Sequence, residues 1–259
     1  MAKKIRLKTI SLGSEPDQPD MDELTCFIRS MKGQEADLTT YYLIRSLEKQ
    51  LEAGILSPAG GGMFMQSRFE DALTCSHEGC QVNTLVFEED AQVMIKTAGQ
   101  VTSVLPSPGV LPGSPDPEDE EAFAEFCDGY AKILRNMRDQ KITGHILHAK
   151  EVSLIEAELL SSRKTIFVIP DGTIAAQSEL LEVQSTIALT SNRVQFLDEL
   201  IDQFDIRNLI LIEPNEEGFK RVLKHLDPEK IQVGGYGRGE DKQYWKRIAD
   251  SAEIPVPTD

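Results

Sequence analysis

The sequence predicts an α/β protein: an N-terminal α+β region followed by a Rossmann-like, three-layer C-terminal domain with a parallel sheet. Short hydrophobic runs at residues 165–170, 186–189, 208–212 and 231–233 each end in a polar or glycine-rich loop. Helical patterns follow at least three of these runs, and such alternation produces parallel strands joined by right-handed crossovers. The carboxyl ends of the strands then share one edge, which is where open α/β sheets bind ligands.

The first part of the chain predicts both strands and helices. Residues 4–12 alternate imperfectly between apolar and polar, which favours a strand. Helical spacing predicts helices over residues 21–31 and 37–53, and Asp37 or Thr39 is the expected cap of the second.

Residues 81–105 predict further strands. The segments 81–88 and 92–97 flank an acidic turn and 100–105 continues the alternation, so we expect a β-meander. The glycine-rich run at 58–62 lacks the lysine and the serine or threonine of a phosphate-binding loop, and a mobile connector is the favoured interpretation.

A proline-rich segment divides the chain. Residues 105–120 combine prolines with glycines and acidic residues, and this composition cannot continue a helix or a central strand. We therefore expect an α+β region at 1–104, a linker at 105–120 and the Rossmann-like domain at 121–259.

The C-terminal part begins with a long helix, predicted at residues 117–140. An apolar stripe from Phe123 to Met137 runs along it at helical spacing, which favours core packing, with homo-oligomerisation through the stripe as the alternative. Later strands are predicted at 145–149, 165–170, 186–189, 208–212, 230–233 and 254–256, and helices at 151–161, 192–204, 216–226 and 241–251.

The composition argues against several classes of partner. The formal net charge is −16, so the chain repels polyphosphate backbones and we expect no nucleic-acid binding. No apolar run reaches the roughly 20 residues that span a bilayer, and the first residues do not resemble a secretory signal. We expect a soluble, cytoplasmic protein that does not contact a membrane.

The four cysteines are expected to be free thiols in such a protein. Cys75 and Cys80 form a cluster, and His145 and His148 would complete a Cys2His2 set suited to zinc. The spacing matches no common zinc module, and in a strand the two histidines point to opposite faces. Ordinary thiols are favoured, with a structural metal or a redox pair as the alternatives.

Residues 165–256 carry motifs that resemble those of haloacid dehalogenase-like phosphatases. Ile166-Phe167-Val168-Ile169-Pro170-Asp171-Gly172-Thr173 is similar to the first motif, residues 187–193 to the second, 213–219 to the third and 231–235 to the fourth. The resemblance implies a phosphohydrolase fold with little or no cap domain.

The departures from that family fall on its catalytic positions. Ile169 occupies the position of the nucleophilic aspartate, and its side chain neither attacks phosphorus nor binds magnesium. Glu213 replaces the lysine that neutralises phosphate, and Gly235 replaces a metal ligand, while Asp171 and Thr190 are retained. Two interpretations stay open: a relative that has lost phosphatase chemistry, or a pattern that any parallel sheet can produce.

The loop Gly234-Gly235-Tyr236-Gly237-Arg238-Gly239 is the second feature that suggests a ligand. Its glycines allow close backbone approach, and Arg238 offers a cationic fork for phosphate or carboxylate. The order differs from the Gly-x-Gly-x-x-Gly of dinucleotide sites. A plain connection between a strand and a helix explains the loop equally well.

The acidic residues near the same edge could collect a divalent cation. They are Asp171, Glu213, Glu240 and Asp241. Each is also an ordinary residue for a turn or for the start of a helix, so the sequence assigns no metal and no cofactor. Trp245 is expected to pack in the core rather than to stack on a ligand.

From these patterns we expect a protein that binds a small anionic ligand, bearing phosphate or carboxylate, or a protein partner, without hydrolysing it. A diverged haloacid dehalogenase-like phosphohydrolase is the alternative. The candidate ligand-binding residues are Asp171, Thr190, Ser191, Asn192, Asn215, Gly235, Gly237 and Arg238. They should converge in one pocket.

Overall fold

The strands alternate with helices along most of the chain in a computed structural model, which describes residues 4–31, 36–76, 79–239 and 243–255. The strands are β1 (Lys4–Arg6), β2 (Lys8–Glu15), β3 (Ala59–Gly61), β4 (Leu73–Ser76), β5 (Gly79–Val82), β6 (Thr102–Pro106), β7 (His145–His148), β8 (Thr165–Val168), β9 (Thr186–Thr190), β10 (Asn208–Ile212), β11 (Ile231–Arg238) and β12 (Glu253–Pro255). The helices are α1 (Met21–Ser30), α2 (Leu38–Glu52), α3 (Gln66–Ala72), α4 (Leu85–Ala98), α5 (Glu120–Asp139), α6 (Leu154–Leu160), α7 (Ile174–Val183), α8 (Leu197–Leu200), α9 (Glu216–Val222) and α10 (Tyr244–Ser251).

The parallel strands form a closed ring. One half has the order β2-β11-β10-β9 and the other the order β3-β6-β7-β8. The halves meet at β2 and β3, where the Ser57 N–H donates to the Thr9 carbonyl at 2.9 Å and the Ser11 N–H to the Ser57 carbonyl at 3.0 Å. They meet again at β8 and β9, where the Gln184 side chain bonds the Phe167 backbone. The result is an eight-stranded parallel barrel with helices outside.

The prediction of an α/β fold with parallel strands is confirmed, but the three-layer arrangement is wrong. The strands curl into a ring instead of lying in an open sheet between two helical layers. Pairs of neighbouring strands also cross the predicted boundary between the two regions of the chain. β2 pairs with β11 and β6 pairs with β7, so residues 1–104 and 121–259 share one barrel, and residues 105–106 of the predicted linker belong to β6.

Apolar side chains fill the inside of the barrel. They include Leu12, Val104, Ile146, Val168, Ala188 and Ile210. The opposite faces of the strands pack against the helices, because successive strand residues point to opposite sides. The α5 stripe is part of this outer core: Phe123, Phe126, Tyr130, Ile133, Leu134 and Met137 are all buried. The stripe therefore packs within this chain, and its side chains are not available to a second copy.

Local capping sets the ends of several helices. The Asp37 carboxylate accepts the Thr40 N–H at 2.9 Å, which confirms Asp37 as the cap of α2. Helix α5 begins at Glu120 with Asp119 as its cap, three positions later than the predicted start at residue 117. Among the described residues, no helix is both long and apolar enough to cross a bilayer.

The predicted β-meander is largely a helix. Residues 85–98 form α4, and of the meander only β5, up to Val82, and β6 remain strands. Phe87, Ala91 and Met94 are fully buried at helical spacing, so packing of this face overrides the apparent alternation. The supposed acidic turn at residues 89–90 lies inside the helix.

The glycine-rich run at 58–62 is not a connector, because residues 59–61 form barrel strand β3. Its glycines meet a packing requirement. A Cβ on Gly60 would lie 2.5 Å from the Met94 Sδ, and Gly61 has a φ of +112° with its Cβ position 2.2 Å from the Val104 carbonyl oxygen.

Candidate functional site

A cavity of about 500 Å³ opens where the barrel strands end. Its polar lining residues are Glu15, His148, Lys150, Asp171, Thr190, Glu213, Tyr236 and Arg238, and Leu12, Met63, Val110, Ala149, Pro170 and Ile212 supply apolar surface. Parallel closure brings all eight strand ends to this mouth, so residues far apart in sequence meet there. The location agrees with the edge predicted from the sequence.

His148 occupies the floor of the mouth at the end of β7. It lies three positions after His145, so the two side chains point to opposite faces of the strand, as predicted. The His148 Nε2 lies 2.7 Å from the Leu12 carbonyl oxygen. Because a carbonyl oxygen can only accept, Nε2 carries the proton and Nδ1 is left as an acceptor. Burial lowers the pKa of His148, and the Arg238 charge lowers it further. The ring is therefore neutral near pH 7.

Tyr236 stands beside His148, on the opposite half of the ring. The two ring centroids are 4.9 Å apart. The Tyr236 hydroxyl accepts the Met63 N–H at 3.2 Å and also bonds the Glu15 carboxylate. Burial raises the pKa of Tyr236, and the neighbouring Glu15 charge acts in the same direction. The phenol therefore stays neutral and orients Glu15 at the rim.

Glu213 is held at the mouth in an unfavourable backbone conformation. Its φ of +47° lies in the left-handed region, which costs energy for any residue with a side chain. The backbone is fixed on both sides: the Glu213 N–H donates to the Gly234 carbonyl at 3.0 Å, and the Ser191 hydroxyl donates to the Glu213 carbonyl at 3.1 Å. The Tyr244 hydroxyl donates to the Glu213 Oε1 at 2.9 Å. Two contacts thus fix the backbone of Glu213, and the Tyr244 hydroxyl holds its carboxylate.

Three of the predicted site residues line the mouth. Asp171 follows β8, Thr190 ends β9 and Arg238 ends β11. The Thr190 hydroxyl donates to the Asn192 side chain, so Asn192 supports the mouth from the next loop. The structure therefore brings part of the predicted set together.

Ser191 and Asn215 hold loops rather than line the cavity. The Ser191 hydroxyl accepts the Asn215 N–H at 3.1 Å while it donates to Glu213. The Asn215 carboxamide oxygen accepts the Gly218 N–H at 2.7 Å and so caps α9. Both residues position the β10 loop that carries Glu213.

Gly235 and Gly237 face away from the mouth. A Cβ on Gly235 would lie 2.4 Å from the Tyr244 hydroxyl, and one on Gly237 would lie 3.1 Å from the Trp245 ring. These glycines make room for α10 and do not line the mouth, so their role in ligand binding stays a prediction. Trp245 is 4% exposed, in agreement with the predicted packing role.

The proposed zinc and cation sets do not assemble. His145 lies behind β7, where the Ser103 hydroxyl is 2.7 Å from its Nδ1. Cys75 and Cys80 are joined in a disulfide on the β4–β5 hairpin, outside the barrel. Within the described ranges there is no cluster of three or more histidine, cysteine or acidic side chains placed to hold a metal. Glu240 and Asp241 lie outside the described residues.

Sequence reasoning did not select His148, Lys150, Glu15 or Tyr236 as members of one site. His148 carried a signal, because its strand position made it point away from His145. Tyr236 lay in the glycine-rich loop that suggested a ligand, but the sequence did not indicate that its side chain meets His148. Glu15 and Lys150 had no signal, since their proximity to the others depends on closure of the ring. A sequence predicted as an open sheet gives no reason to place the end of β2 beside the end of β11.

Comparison with known proteins finds likeness in structure alone. No family model matches the sequence, and no curated protein matches it. The chain is similar to a B12-independent methionine synthase from Shewanella sp. W3-18-1, solved in complex with selenomethionine, with a TM-score of 0.66, 16% identity and 96% of each chain covered. The shared feature is the fold.

Two further structures match with lower scores. The homocysteine methyltransferase from Escherichia coli gives a TM-score of 0.45 at 12% identity, covering 95% of this chain and 96% of that one. The 4-hydroxy-tetrahydrodipicolinate synthase from Methylacidiphilum fumariolicum SolV gives 0.40 at 12% identity, covering 95% of this chain and 71% of that one.

The interpretation as a relative of haloacid dehalogenase-like phosphatases is wrong. The match to the methionine synthase extends over 96% of the chain, and residues 165–256 form part of a closed ring with β2. A hydrophobic strand followed by a short loop such as Asp-Gly-Thr can occur in parallel sheets of different folds, which explains the misleading motif. The expectation of a ligand-binding protein without hydrolytic activity is corrected as well, because it rested on an open Rossmann-like sheet and the chain instead shares the fold of the methionine synthase.

Proposed function

We propose that this chain is an enzyme that acts on a small zwitterionic substrate, of the amino-acid class, at the mouth of the barrel, with His148 as the proton-transferring residue. The observation that carries the proposal is the neutral His148 fixed by the Leu12 carbonyl at the floor of a cavity ringed by charges of both signs.

The position of the cavity supports a catalytic role. Active sites of (βα)8-barrel enzymes lie at the carboxyl ends of the strands, where loops vary without disturbing the barrel. The volume of about 500 Å³ falls in the range of small-molecule sites. Eight charged or polar side chains and six apolar residues share the lining, so the cavity offers groups that can orient a substrate as well as apolar surface.

The chemistry of His148 suits general-base catalysis. Its Nε2–H is fixed by a backbone acceptor, which sets the tautomer and the ring orientation. Nδ1 has no hydrogen-bond partner among the described residues, and the lowered pKa keeps it unprotonated near neutrality. It can therefore accept a proton from a substrate N–H, O–H or S–H group.

The acidic and basic side chains around the mouth are arranged to bind a zwitterion, a molecule with one positive and one negative group. Asp171 follows β8 and Glu213 follows β10, so two carboxylates flank Thr190 at the end of β9. Lys150 and Arg238, beyond β7 and at the end of β11, stand on either side of this acidic pair. An ammonium group fits between the carboxylates, and a substrate carboxylate fits one of the cations.

The opposite sector of the mouth is apolar. Leu12, Met63 and Val110 line it on the side of β2, β3 and β6. A substrate bound through its charged end would direct an apolar tail toward these residues. The methionine synthase of the same fold was solved with selenomethionine, which has such a charged end and such a tail, so this class of amino acid is the first to test.

The test measures binding and turnover separately. L-Methionine, selenomethionine, homocysteine, lysine and glutamate are titrated by calorimetry, and we expect an apolar or thioether amino acid to bind more tightly than the charged ones. Arg238→Glu or Asp171→Lys should weaken that binding by about tenfold or more, since each reverses one charge-assisted contact. Absence of binding by every amino acid at millimolar concentration would refute the substrate class.

Turnover is followed by NMR of a pooled metabolite mixture that contains the bound amino acid. His148→Gln should slow consumption by about 100-fold to 10,000-fold while it changes amino-acid affinity by less than about threefold. His145→Gln, on the opposite face of β7, is the matched control and should retain turnover. Equal rates for His148→Gln and the wild-type protein would remove His148 from the mechanism.

A further inference from the structure

The two cysteines that the proposed function does not use face each other across a hairpin. Cys75 of β4 is directly opposite Cys80 of β5, between the pairs Thr74–Gln81 and Ser76–Gly79. Their sulfurs are joined, and their Cα atoms are 4.0 Å apart.

Contacts other than the disulfide hold the hairpin in place. Leu73 and Val82 pack on Gly129 of α5, where a Cβ would lie 2.5 Å from the Leu73 Cδ1 and 3.3 Å from the Val82 Cγ2. The Cys80 N–H donates to the Glu125 Oε1 at 3.0 Å. These contacts keep the two cysteines opposite each other whether or not their sulfurs are bonded.

The disulfide therefore adds little constraint to the fold. The cysteines are five positions apart in sequence and lie in adjacent strands, so the disulfide joins no distant parts of the chain. A disulfide that stabilises a fold closes a longer loop, because the stabilisation grows with the number of residues enclosed. The arrangement suits exchange chemistry better than a purely structural role.

Solvent exposure also distinguishes Cys75 and Cys80 from the buried Cys127. Cys75 and Cys80 are both partly exposed, so a small thiol or disulfide can reach them. Cys127 is fully buried on α5, and burial raises the pKa of its thiol to about 12, which removes its reactivity. Cys26 is exposed on α1 and is not joined to another cysteine.

We propose that Cys75 and Cys80 form a site of reversible thiol–disulfide exchange with small thiols and disulfides of the glutathione class. In the oxidising direction one thiolate attacks oxidised glutathione, which forms a mixed disulfide and releases one reduced glutathione. The second thiolate then attacks the protein sulfur of that mixed disulfide, which closes the Cys75–Cys80 bond and releases the second glutathione. Two electrons pass to glutathione, and the two protons of the protein thiols end on the two glutathione thiols.

The test equilibrates the native full-length protein in buffers of reduced and oxidised glutathione, traps the thiols with acid and an alkylating reagent, and maps them by mass spectrometry. We expect Cys75 and Cys80 to change together between the dithiol and the disulfide. The fraction in the disulfide form should depend on the square of the reduced glutathione concentration divided by the oxidised glutathione concentration. Cys26 should remain accessible to alkylation and should form no intramolecular disulfide. Cys127 should react only after unfolding.

Single substitutions identify the resolving step. In Cys80→Ser or Cys75→Ser, a glutathione adduct should accumulate on the remaining cysteine, because no second thiol displaces it. Cys127→Ser is the matched control and should leave the titration unchanged. A disulfide that persists in the folded protein under a large excess of reduced glutathione would overturn the proposal, and so would a pair that stays reduced in oxidised glutathione.

Discussion

The side-chain amide of Gln184 bonds the backbone of Phe167 as a neighbouring strand would. Its Oε1 accepts the Phe167 N–H at 2.9 Å, and its Nε2 donates to the Phe167 carbonyl at 3.0 Å. The same Nε2 donates to the Thr186 carbonyl at 2.6 Å. The described strands β8 and β9 share no backbone ladder, so one side chain joins the two halves of the barrel there.

Replacing Gln184 by leucine should open this junction. Phe167 is 1% exposed, so its N–H and carbonyl would lose their partners without gaining water, at a cost of about 2–4 kcal/mol. The free energy of unfolding in urea measures the loss. Gln195 is an exposed glutamine, and Gln195→Leu should change stability by less than about 0.5 kcal/mol. Equal stability of the two variants would contradict the assigned role of Gln184.

Arg68 should matter more than the surface arginines. It donates to Asp90 through Nε and Nη2, both at 2.9 Å, and to the Asp37 Oδ1 at 3.0 Å. Asp90 is 2% exposed, so Arg68→Met leaves a buried carboxylate unpaired and should cost about 3–5 kcal/mol.

Two further variants test the role of Arg68. Arg207 pairs with Asp205 at the surface, and Arg207→Met should cost less than about 1 kcal/mol. The double variant Arg68→Met/Asp90→Asn should recover part of the loss, because it removes the unpaired charge. Chemical denaturation of all four proteins measures these differences, and no recovery in the double variant would argue against a buried charge as the cause.

The buried His145 predicts loss of stability in acid. Burial lowers its pKa from 6.5 to about 3, and the Arg138 charge contributes. The unfolded chain therefore takes up a proton before the folded one, so stability falls as the pH drops from about 6.5 toward about 3, by up to about 1.4 kcal/mol per pH unit. His145→Gln should reduce this slope. Parallel pH profiles of wild type and variant, measured by urea denaturation, would exclude His145 as the source.

Glu156 should control the loop that carries Val110 into the mouth. This buried carboxylate on α6 accepts the Gly109 N–H at 2.8 Å and the Ser153 N–H at 3.0 Å. Glu156→Gln replaces one acceptor oxygen by a donor and should cost about 1–3 kcal/mol. Amide exchange should accelerate at Gly109 more than at Ile146 in the barrel interior. Unchanged exchange at Gly109 would mean that other contacts hold the loop.

The sequence predicted the parts of the fold that depend on local pattern. The later strands, their parallel direction and the edge that carries Asp171, Thr190 and Arg238 follow from short hydrophobic runs and the loops after them. The opposite directions of His145 and His148 follow from the two-residue period of a strand.

What the sequence did not predict depends on contacts between distant residues. β3 is only three residues long and glycine-rich, so it lacks a strand pattern, and its place is set by packing of Gly60 on Met94. If β3 is not recognised, the barrel lacks its eighth strand. The remaining strands then predict an open sheet. The Tyr236–His148 pair follows only from closure, because β11 and β7 belong to different halves.

The proposed active site contains groups from both halves of the barrel. His148 belongs to the half built on β6, β7 and β8, whereas the Leu12 carbonyl that orients it belongs to β2 of the other half. Separating the halves, even slightly, would release the imidazole from its acceptor and from Tyr236. The geometry of proton transfer is thus a property of ring closure, and a half-barrel prepared alone would contain the histidine without the group that orients it.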